Sequence, residues 1–589
     1  MDHLTEHWTV LIVMGVVLVG AAGFFSSRIG VAAPLLLVVA GAALSLIPTV
    51  PEIEVPPEII LSVMLPPLLY SAAIKVPAAD FRRNLRVILY LSVALVAISA
   101  AASALVLHAF WPMLGFALCF ALGAVISPPD AVAATALGRK LGLPPRVMTI
   151  LEGEGLMNDA TALVLLSTAL SAISTAEDPT VHDVTFWIVV GKFLWSVAVA
   201  LVVGFVVGHL LVLVRHKLVD PVLDIALAIV APFVAFLPAE VMGGSGVVSV
   251  VIAGLVVGNQ GLARVPAAHR ATESSTWGMF SMIVENGVFL TMGLQLPTVV
   301  ETVVGNPLHL LEVIGIGLLL CVVLLAVRFA VLPPLLLTLR QAARVRERKL
   351  ARADAQLTRL EARLEESDAA APGGRVSSEL RRARRRWSRR NNDFETLRDQ
   401  RLGWRDTGVI GWAGMRGVVT VAAAQTLPRE SPFYNELVLI AFVVAVATLI
   451  VQGGTLPLVT RLLKLQRDEN SNERQDFLAL VTEVTEAGVQ GIEREEAANP
   501  TSDGTYRTAI KRTRVLQGAL EKYLDVDPED PTSEVAQYQR LMFASHEAQR
   551  EYLAEARSLG SHSSEVIQRM QELLDRDEIA MTGDTTDGH

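Results

Sequence analysis

Long apolar segments recur along most of the chain, and each is long enough to cross a bilayer as a helix, which takes about 20 residues. Thirteen are recognised, at residues 8–26, 30–47, 57–74, 86–108, 111–137, 147–172, 186–214, 221–238, 243–259, 277–297, 309–339, 407–427 and 435–463. With 52% hydrophobic and 19% charged residues, the 589-residue chain differs from soluble, disordered, fibrous and nucleic-acid-binding proteins. The sequence therefore predicts an all-α polytopic membrane protein with 13 transmembrane helices, embedded in a lipid bilayer.

The short loops between these segments alternate between basic and acidic. One set contains residues such as Arg82, Arg139 and Arg264, and the other contains residues such as Glu52 and Glu177. The positive-inside rule places the basic set in the cytoplasm. We therefore expect an N-terminus outside and a C-terminus inside, in the plasma (cell inner) membrane.

Two extra-membrane segments carry opposite charge. Residues 340–405 contain 19 Lys and Arg against 10 Asp and Glu, whereas residues 466–589 contain 13 against 26. This predicts four parts: spans 1–11 at 1–339, a basic cytoplasmic insertion at 340–405, spans 12–13 at 406–465, and an acidic helical cytoplasmic tail at 466–589. Heptad-spaced leucines before and after the Pro-Gly-Gly at 372–374 predict that the insertion is a helical hairpin.

The second arm of the hairpin, residues 375–401, is rich in arginine. Such a surface binds either anionic lipid headgroups or, in this chain, the acidic tail 466–589. A contact between the hairpin and the tail would be regulatory and would weaken as salt screens the charges.

Four ionisable residues lie inside predicted spans: Asp130, Glu154, Asp159 and Arg328. Helical rise places Asp130 about 14 Å and Asp159 about 20 Å from the nearest basic loop. Ionisable groups at membrane depth usually mark an ion pathway, although a structural, hydrogen-bonded Asp159 is the alternative. Glu154 and Arg328 are predicted to form a buried ion pair that holds spans six and eleven together.

Consecutive prolines interrupt the fifth span. Pro128 and Pro129 lack backbone donors, so the helix is predicted to break at Ser127–Asp130. A simple proline kink is the alternative. Irregular backbone at membrane depth is tolerated where it lines a cavity or is covered by protein.

Glycines loosen the twelfth span in the same way. Gly411, Gly414 and Gly417 surround the buried Arg416. Spans five and twelve are seven apart, which gives corresponding helices opposite orientations. This predicts two inverted six-helix repeats, spans 1–6 and 8–13, whose interrupted helices mark a transporter's binding site.

The remaining ionisable and nucleophilic residues leave few other functions open. Glu285 in span ten either makes a helix–helix hydrogen bond or belongs to an ion pathway, and Asp224 near a span end is predicted to reach water. No GxxxxGK[ST] motif supports an ATP-driven pump, and no Ser/His or paired-Asp arrangement supports an intramembrane hydrolase. Cys119 and Cys321 lack metal-site spacing. We therefore expect a transporter or channel without a cofactor, and not an enzyme.

Three motifs carry a resemblance to a known family: Ser127-Pro-Pro-Asp130, Glu152-Gly-Glu-Gly-Leu-Met-Asn158-Asp159 and Gly414-Met-Arg-Gly417. Over about residues 8–465 the sequence resembles the bacterial NhaP-type sodium/proton antiporters, relatives of the animal sodium/proton exchangers. The resemblance implies a homodimer in which a core domain, spans 4–6 and 11–13, moves against a scaffold by an elevator-like shift. It also implies electroneutral exchange of one cation for one proton.

The resemblance also implies residue roles. Asp159 exchanges the cation for a proton and Asp130 supports the site, within a cation- and proton-binding set of Asp159, Asp130, Asn158, Pro129 and Ser71. The helix breaks and the pH response involve Ser127, Pro128, Gly414, Arg416 and Gly417, while Glu154 and Arg328 match the family's buried pair.

Two positions depart from the family pattern. Ser71 stands where many members carry an acidic residue, and Gly155 stands where many carry Ser. Because a hard cation needs several oxygen ligands, water or backbone carbonyls at the span-five break are expected to complete its shell. The sequence therefore leaves sodium/proton exchange, potassium/proton exchange and a cation channel as alternatives, in that order.

Overall fold

The structure is a computed structural model that describes most of the chain, with gaps at several loops and over much of the C-terminal region. It describes residues 2–29, 33–47, 56–176, 186–218, 220–264, 267–303, 307–368, 402–465, 472–498, 506–511 and 513–514. The chain forms two compact units, residues 1–467 and 468–589. Every regular element in the described ranges is a helix, which confirms the predicted all-α class.

The first unit contains 15 described helices. Three of them include a π-helical turn: α3 (Pro57–Ile59, Ile60–Met64 and Leu65–Lys75), α4 (Ala78–Leu89, Tyr90–Leu95 and Val96–Phe110) and α15 (Tyr434–Thr448, Leu449–Gly453 and Gly454–Leu462). The others are α1 (Asp2–Ile29), α2 (Ala33–Ser45), α5 (Phe116–Ile126), α6 (Ala131–Lys140), α7 (Pro145–Ala176), α8 (Phe186–Arg215), α9 (Pro221–Val241), α10 (Gly246–Arg264), α11 (Ala267–Val303), α12 (Pro307–Asp368), α13 (Trp404–Trp412) and α14 (Val418–Ala424).

Seven described helices are long and apolar enough to cross a membrane. They are α4, α7, α8, α9, α11, α12 and α15, and the remaining apolar helices are shorter, with 10–17 residues in their apolar parts. The shorter ones lie in α1, α2, α3, α5 and α10. These lengths confirm the prediction of a multi-pass membrane protein.

The helices of the first unit pack as two bundles. The first bundle comprises α4–α7 and α12–α15, and its apolar core includes the fully buried Leu122, Leu320 and Ile440. The second bundle comprises α1–α3 and α8–α11, and Tyr70 and Val250 lie in its core. Helices α3, α8, α10 and α11 of the second bundle also contact the first, and the candidate site lies where α3 and α11 meet it.

Two prolines shape the end of α3 that reaches the site. Pro66 and Pro67 are the second and third residues of the α-helical segment Leu65–Lys75, which follows the π-helical turn Ile60–Met64. Because proline has no backbone N–H to donate, the wider turn lets the helix continue without breaking. Ser71, one turn further on, is thereby held as a buried side chain of a continuous helix.

Helices α2 and α11 approach each other closely through two glycines. A Cβ built at Gly293 of α11 would collide with the Val38 carbonyl of α2, and one built at Gly41 would collide with the Leu290 carbonyl of α11. Small residues at a helix contact let two backbones pack closely where no hydrophobic effect drives association. The α2–α11 contact therefore requires glycine on both sides.

Helix α12 continues far beyond its apolar part. It is a single helix of 62 residues from Pro307 to Asp368, with Pro333 and Pro334 in its interior. The basic insertion predicted from residue 340 thus begins inside a helix, with no break at its first boundary. The predicted hairpin turn and its arginine-rich second arm, residues 375–401, lie outside the described residues.

The prediction that Asp224 reaches water is wrong. Asp224 is fully buried, and its two carboxylate oxygens accept hydrogen bonds from Arg215 Nε at 2.7 Å and Nη2 at 2.9 Å. Glu273 of α11 accepts from the same guanidinium at 2.7 Å and 3.1 Å. The bidentate guanidinium pairing compensates the buried charge, so Asp224 is held at the joint between α8, α9 and α11.

The second unit is described only in part. Its main element is α16 (Asn472–Ala498), a helix of 27 residues, and residues 506–511 are also helical. The helical periodicity that the sequence shows at 535–559 and 566–574 falls outside the described residues.

We predict that Gly293→Ala lowers the stability of the purified protein by about 1–3 kcal/mol, because the new methyl group forces α2 and α11 apart. Gly287→Ala is the matched control on the same helix, since a Cβ there meets no atom within 4 Å. The measurement is thermal unfolding in detergent. Equal melting temperatures for the two variants would contradict the close α2–α11 contact.

Candidate functional site

The fifth predicted span is two helices in the structure. Helix α5 ends at Ile126 and α6 begins at Ala131, and the segment between them, Ser127–Asp130, is not helical. Ser127 Oγ donates to the Gly123 carbonyl at 2.5 Å, which occupies one of the carbonyls that the end of α5 leaves unpaired. The consecutive prolines thus give a true interruption with a polar residue on either side.

The twelfth predicted span is interrupted in the same way. Helix α13 ends at Trp412 and α14 begins at Val418, with Ala413–Gly417 between them. Gly417 allows the two breaks to approach each other, because a Cβ built on it would lie 2.6 Å from Cγ of Asp130. Gly414 similarly lies against the Arg328 side chain, because a Cβ built on it would lie 3.0 Å from Cδ of Arg328.

The two interrupted helices meet at their breaks. The backbone N–H of Asp130 donates to the Met415 carbonyl at 2.6 Å. The buried Arg416 guanidinium donates to the carbonyls of Ile126, at 3.2 Å, Ser127 and Gly414. Since these carbonyls belong to the negative ends of broken helices, the arginine both satisfies and neutralises them.

Helix α7 contributes two adjacent polar residues that face different ways. Asn158 is fully buried, and its Nδ2 donates to the Pro129 carbonyl at 2.7 Å, which ties α7 to the first break. Its Oδ1 has no hydrogen-bond partner among the described residues. Asp159, the next residue, lines a cavity instead.

The structure brings Glu154 and Arg328 together in a buried ion pair. Arg328 Nη1 lies 2.6 Å from Glu154 Oε1, and Nη2 lies 2.8 Å from Oε2. Both residues are at most 2% exposed, and Arg328 also donates to the Ile410 carbonyl of α13. The pair therefore joins α7, α12 and α13 in the first bundle, and Arg328 engages both carboxylate oxygens of Glu154.

A cavity of about 280 Å³ lies where the two bundles meet. Asp130, Asp159 and Gly417 line it from the first bundle, and Ser71 and Glu285 line it from the second. Within the described part of the chain, no hydrogen bond or ion pair joins the Asp159 carboxylate to another residue, while Asp130 interacts with it electrostatically. This arrangement does not fit a structural, hydrogen-bonded Asp159.

The outer end of the cavity is lined by charged residues at helix ends. Lys75 ends α3, and Arg139, near the end of α6, lies 2.7 Å from Glu152 of α7. The side chain of Arg139 is 63% exposed, so this end faces outward from the protein. It is the side that the loop charges predict to be cytoplasmic.

The structure separates the predicted site residues into two groups. The residues that line the cavity are Ser71, Pro128, Pro129, Asp130, Asp159 and Gly417, and Gly155 lines it as well. Those that lie behind it and hold the breaks are Ser127, Asn158, Gly414 and Arg416. Sequence reasoning missed Ser281 and Thr420, which also line the cavity. Ser281 could have been found from the sequence, because it precedes Glu285 by four residues and so lies on the same face of α11.

Comparison with known proteins agrees with this architecture. A profile of the family described as sodium/hydrogen exchanger, transmembrane, matches residues 13–462. The chain belongs to this sodium/hydrogen exchanger family. It is therefore a member of a family of membrane transporters rather than enzymes, and the family resemblance of its motifs is confirmed.

Individual relatives align with different lengths of this chain. An uncharacterised Na+/H+ exchanger of Mycobacterium tuberculosis is 29% identical over 473 residues, which cover 79% of this chain and 77% of the relative. A sodium, potassium, lithium and rubidium/H+ antiporter of Bacillus pumilus is 30% identical over 305 residues, 50% of this chain and 44% of the relative.

A solved structure shares the fold. The sodium proton antiporter MjNhaP1 of Methanocaldococcus jannaschii, determined at pH 8, matches with a TM-score of 0.55 at 13% identity. The match covers 79% of this chain and all of that chain. Over the matched part of the chain, the protein therefore has the MjNhaP1-like antiporter fold.

We predict that Arg328→Met lowers stability by about 3–5 kcal/mol, because it leaves the Glu154 carboxylate buried without its partner. The double substitution Glu154→Gln with Arg328→Met removes both charges and is expected to recover most of that loss. Thermal unfolding in detergent measures both. A double variant no more stable than Arg328→Met would contradict the role of the pair as a compensated buried charge.

Proposed function

We propose that this chain is a secondary antiporter that exchanges a monovalent cation, Na+ in the first place, for H+ by competition at Asp159. The observation that carries the proposal is the Asp159 carboxylate in the cavity, beside Asp130 and without a hydrogen-bond partner among the described residues. A carboxylate in this setting binds one positive species, either a proton or a metal cation, and repulsion from Asp130 favours its occupancy.

Coupling follows from this competition. Without a bound cation or proton, the Asp159 carboxylate leaves a negative charge at the contact of the two bundles, and such a charge is costly to move through a low-dielectric region. If only the cation-loaded and the protonated protein reorient, each cation that crosses in one direction requires a proton in the other. One site that alternates between these two ligands gives one-for-one, electroneutral exchange.

Further oxygen ligands for the cation come from the same region. Hard cations bind several oxygens, and the cavity wall offers Ser71, Thr420 and the irregular backbone at Pro128–Asp130. Asn158 donates through Nδ2 to the Pro129 carbonyl, while its Oδ1 has no hydrogen-bond partner among the described residues. A small rearrangement of the break at Pro128–Asp130 would make this Oδ1 a further ligand for the cation.

We further propose that the first bundle is the core domain and moves against the second bundle in an elevator-like shift. The site residues Asp130 and Asp159 belong to the first bundle, whose elements are tied together by Arg416, Asn158 and the Glu154–Arg328 pair. The charged outer end of the cavity at Lys75 and Arg139 corresponds to an inward-facing state.

The same proposal gives the membrane topology. Counting each interrupted helix as one crossing, α5 with α6 and α13 with α14, gives 13 crossings from α1 to α15. The crossings then form two inverted repeats of six, with the N-terminus outside and the C-terminus in the cytoplasm. We place the protein in the plasma membrane as a homodimer, where exchange contributes to pH homeostasis.

Potassium/proton exchange is the second candidate. Ser71 lines the cavity with a neutral hydroxyl where many relatives have a carboxylate, and Gly155 lines it without a side chain. The cavity therefore offers a cation fewer side-chain oxygens, and less negative charge, than the family pattern would. The Bacillus pumilus relative, whose name includes sodium, potassium, lithium and rubidium, supports a broad choice of ions. A cation channel remains the less favoured alternative, and it would carry uncoupled current.

The cytoplasmic segments have a proposed regulatory role. We propose that the chain is divided as its sequence predicts, into spans 1–11 at 1–339, the basic hairpin at 340–405, spans 12–13 at 406–465 and the acidic tail at 466–589. Residues 375–401 are proposed to bind the tail 466–589 or anionic lipid through their arginines.

We predict that Asp159→Asn abolishes exchange, because the amide can neither release a proton nor neutralise a cation. The measurement is dissipation of a pH gradient in proteoliposomes on addition of Na+, Li+ or K+. Asp220→Asn is the matched control: Asp220 is an exposed N-cap that accepts from the Val222 N–H at 2.8 Å, and Asn caps a helix equally well.

Saturable dissipation by one ion identifies the substrate, and currents without proton movement would assign a channel instead. Proton-coupled cation flux retained in Asp159→Asn would overturn the proposed mechanism, as would a wild-type protein that responds to none of the three ions.

We predict that deletion of residues 375–401 changes the pH profile of exchange and raises the protease sensitivity of the tail. The effect of the deletion should shrink at high salt, since exposed charges separated by more than about 8 Å are screened at physiological ionic strength. An unchanged pH profile together with unchanged tail proteolysis would count against the contact between hairpin and tail.

A further inference from the structure

The two walls of the cavity differ in the carboxylates they present. The first bundle contributes Asp130 and Asp159, together with Glu152 at the outer end. Helices α3 and α11 of the second bundle contribute Ser71, Ser281 and Glu285. Among the described residues that line this second wall, Glu285 is the only carboxylate.

Glu285 lies in a polar strip that connects α3 with α11. Ser71 Oγ donates to the Leu68 carbonyl at 2.8 Å and lies 2.8 Å from Ser281 Oγ. With its proton engaged at Leu68, the Ser71 hydroxyl accepts from Ser281, so its remaining lone pair is available to a ligand. Glu285 follows Ser281 by four residues, one helical turn along the same face.

The Glu285 carboxylate is not used to hold the helices together. Within the described part of the chain, no hydrogen bond or ion pair joins it to another residue, which argues against the interpretation of a helix–helix hydrogen bond. Asp130 interacts electrostatically with both Asp159 and Glu285, so Asp130 lies within reach of the carboxylates of both walls.

Among the described residues, no arginine or lysine of the cavity pairs with Asp159 or Glu285. Arg139 is paired with Glu152 at the outer end, and Lys75 is an exposed residue at the end of α3. The buried arginines Arg328 and Arg416 are bound to Glu154 and to the helix-break carbonyls. The inner part of the cavity therefore presents the Asp159 carboxylate from the first wall and the Glu285 carboxylate from the second to a ligand that enters it.

We propose that Glu285 is a cation ligand on the second wall and sets the affinity for the cation at the cytoplasmic face. This rests on the proposed antiport at Asp159 and adds a residue to it. Asp159 carries the exchange of cation for proton, whereas Glu285 and its neighbouring hydroxyls bind the cation only while the cavity has its present shape. Because Glu285 belongs to the bundle that does not carry Asp159, its ligation ends when the first bundle moves.

The test is the cation dependence of exchange in everted membrane vesicles, which expose the cytoplasmic face, with Na+, Li+ and K+ as probes. Glu285→Gln is expected to raise the KM for the transported cation about tenfold, the usual effect of losing one good ligand interaction, while the maximal rate is retained. Glu301→Gln is the matched control, an exposed residue near the end of the same helix.

Glu285→Asp keeps a carboxylate and is expected to give a KM between those of the wild type and Glu285→Gln. A purely structural role would instead lower the maximal rate or the melting temperature without this order of KM values. A KM for Glu285→Gln within twofold of the wild type, or a lower maximal rate at unchanged KM, would overturn the assignment of Glu285. If Asp159→Asn is inactive in the same vesicles, that outcome leaves the proposed antiport intact.

Discussion

Unpaired backbone groups at two helix breaks are the constraint on which the rest of this structure depends. Lipid cannot bind the N–H and C=O groups that an interrupted helix exposes, and each unsatisfied group costs several kcal/mol at membrane depth. The exchanger meets this cost by placing the two breaks against each other. Asp130 donates its N–H to the Met415 carbonyl, and Arg416 donates to carbonyls at the end of α5 and in the second break.

The same contacts leave the Asp159 carboxylate facing the cavity. Each deeply buried arginine of the first bundle already has its own acceptors, Arg328 at Glu154 and Arg416 at the breaks. The Asp159 carboxylate therefore faces a cavity without an arginine paired to it among the described residues, and in the proposed mechanism a cation or a proton compensates its charge. Because Asn158 links α7 to the Pro129 carbonyl, the break and Asp159 are held by one rigid group of helices.

Much of this could be predicted because the signals are local. Proline removes a donor and glycine loosens a helix wherever they occur, so both breaks follow from Pro128, Pro129, Gly414 and Gly417. Helical rise alone places Asp130 and Asp159 near one depth. The orientation of Asn158 was also accessible, since neighbouring helical residues point about 100° apart and only one of Asn158 and Asp159 can face the cavity.

Other features depend on partners far away in the sequence. In the sequence, Arg215 resembles an ordinary cytoplasmic loop charge, but the fold places it against Glu273 of α11, 58 residues later. The same buried cluster holds Asp224, which is why Asp224 does not reach water. The fold likewise brings Ser281 to the cavity, where it contacts Ser71, 210 residues earlier in the chain. The continuation of α12 to Asp368 likewise requires the three-dimensional course of the chain, since composition alone places a boundary near residue 340.

Competition between a proton and a cation at one carboxylate is the central claim, and the proton balance of cation binding tests it most directly. The purified wild-type protein in a weakly buffered detergent solution is titrated with Na+, and with K+ in parallel, while released protons are counted with a pH indicator near neutral pH. The account predicts saturable release of up to one proton per cation bound, and no release from Asp159→Asn. Saturable cation binding without proton release from the wild type, at every pH tested, would contradict it.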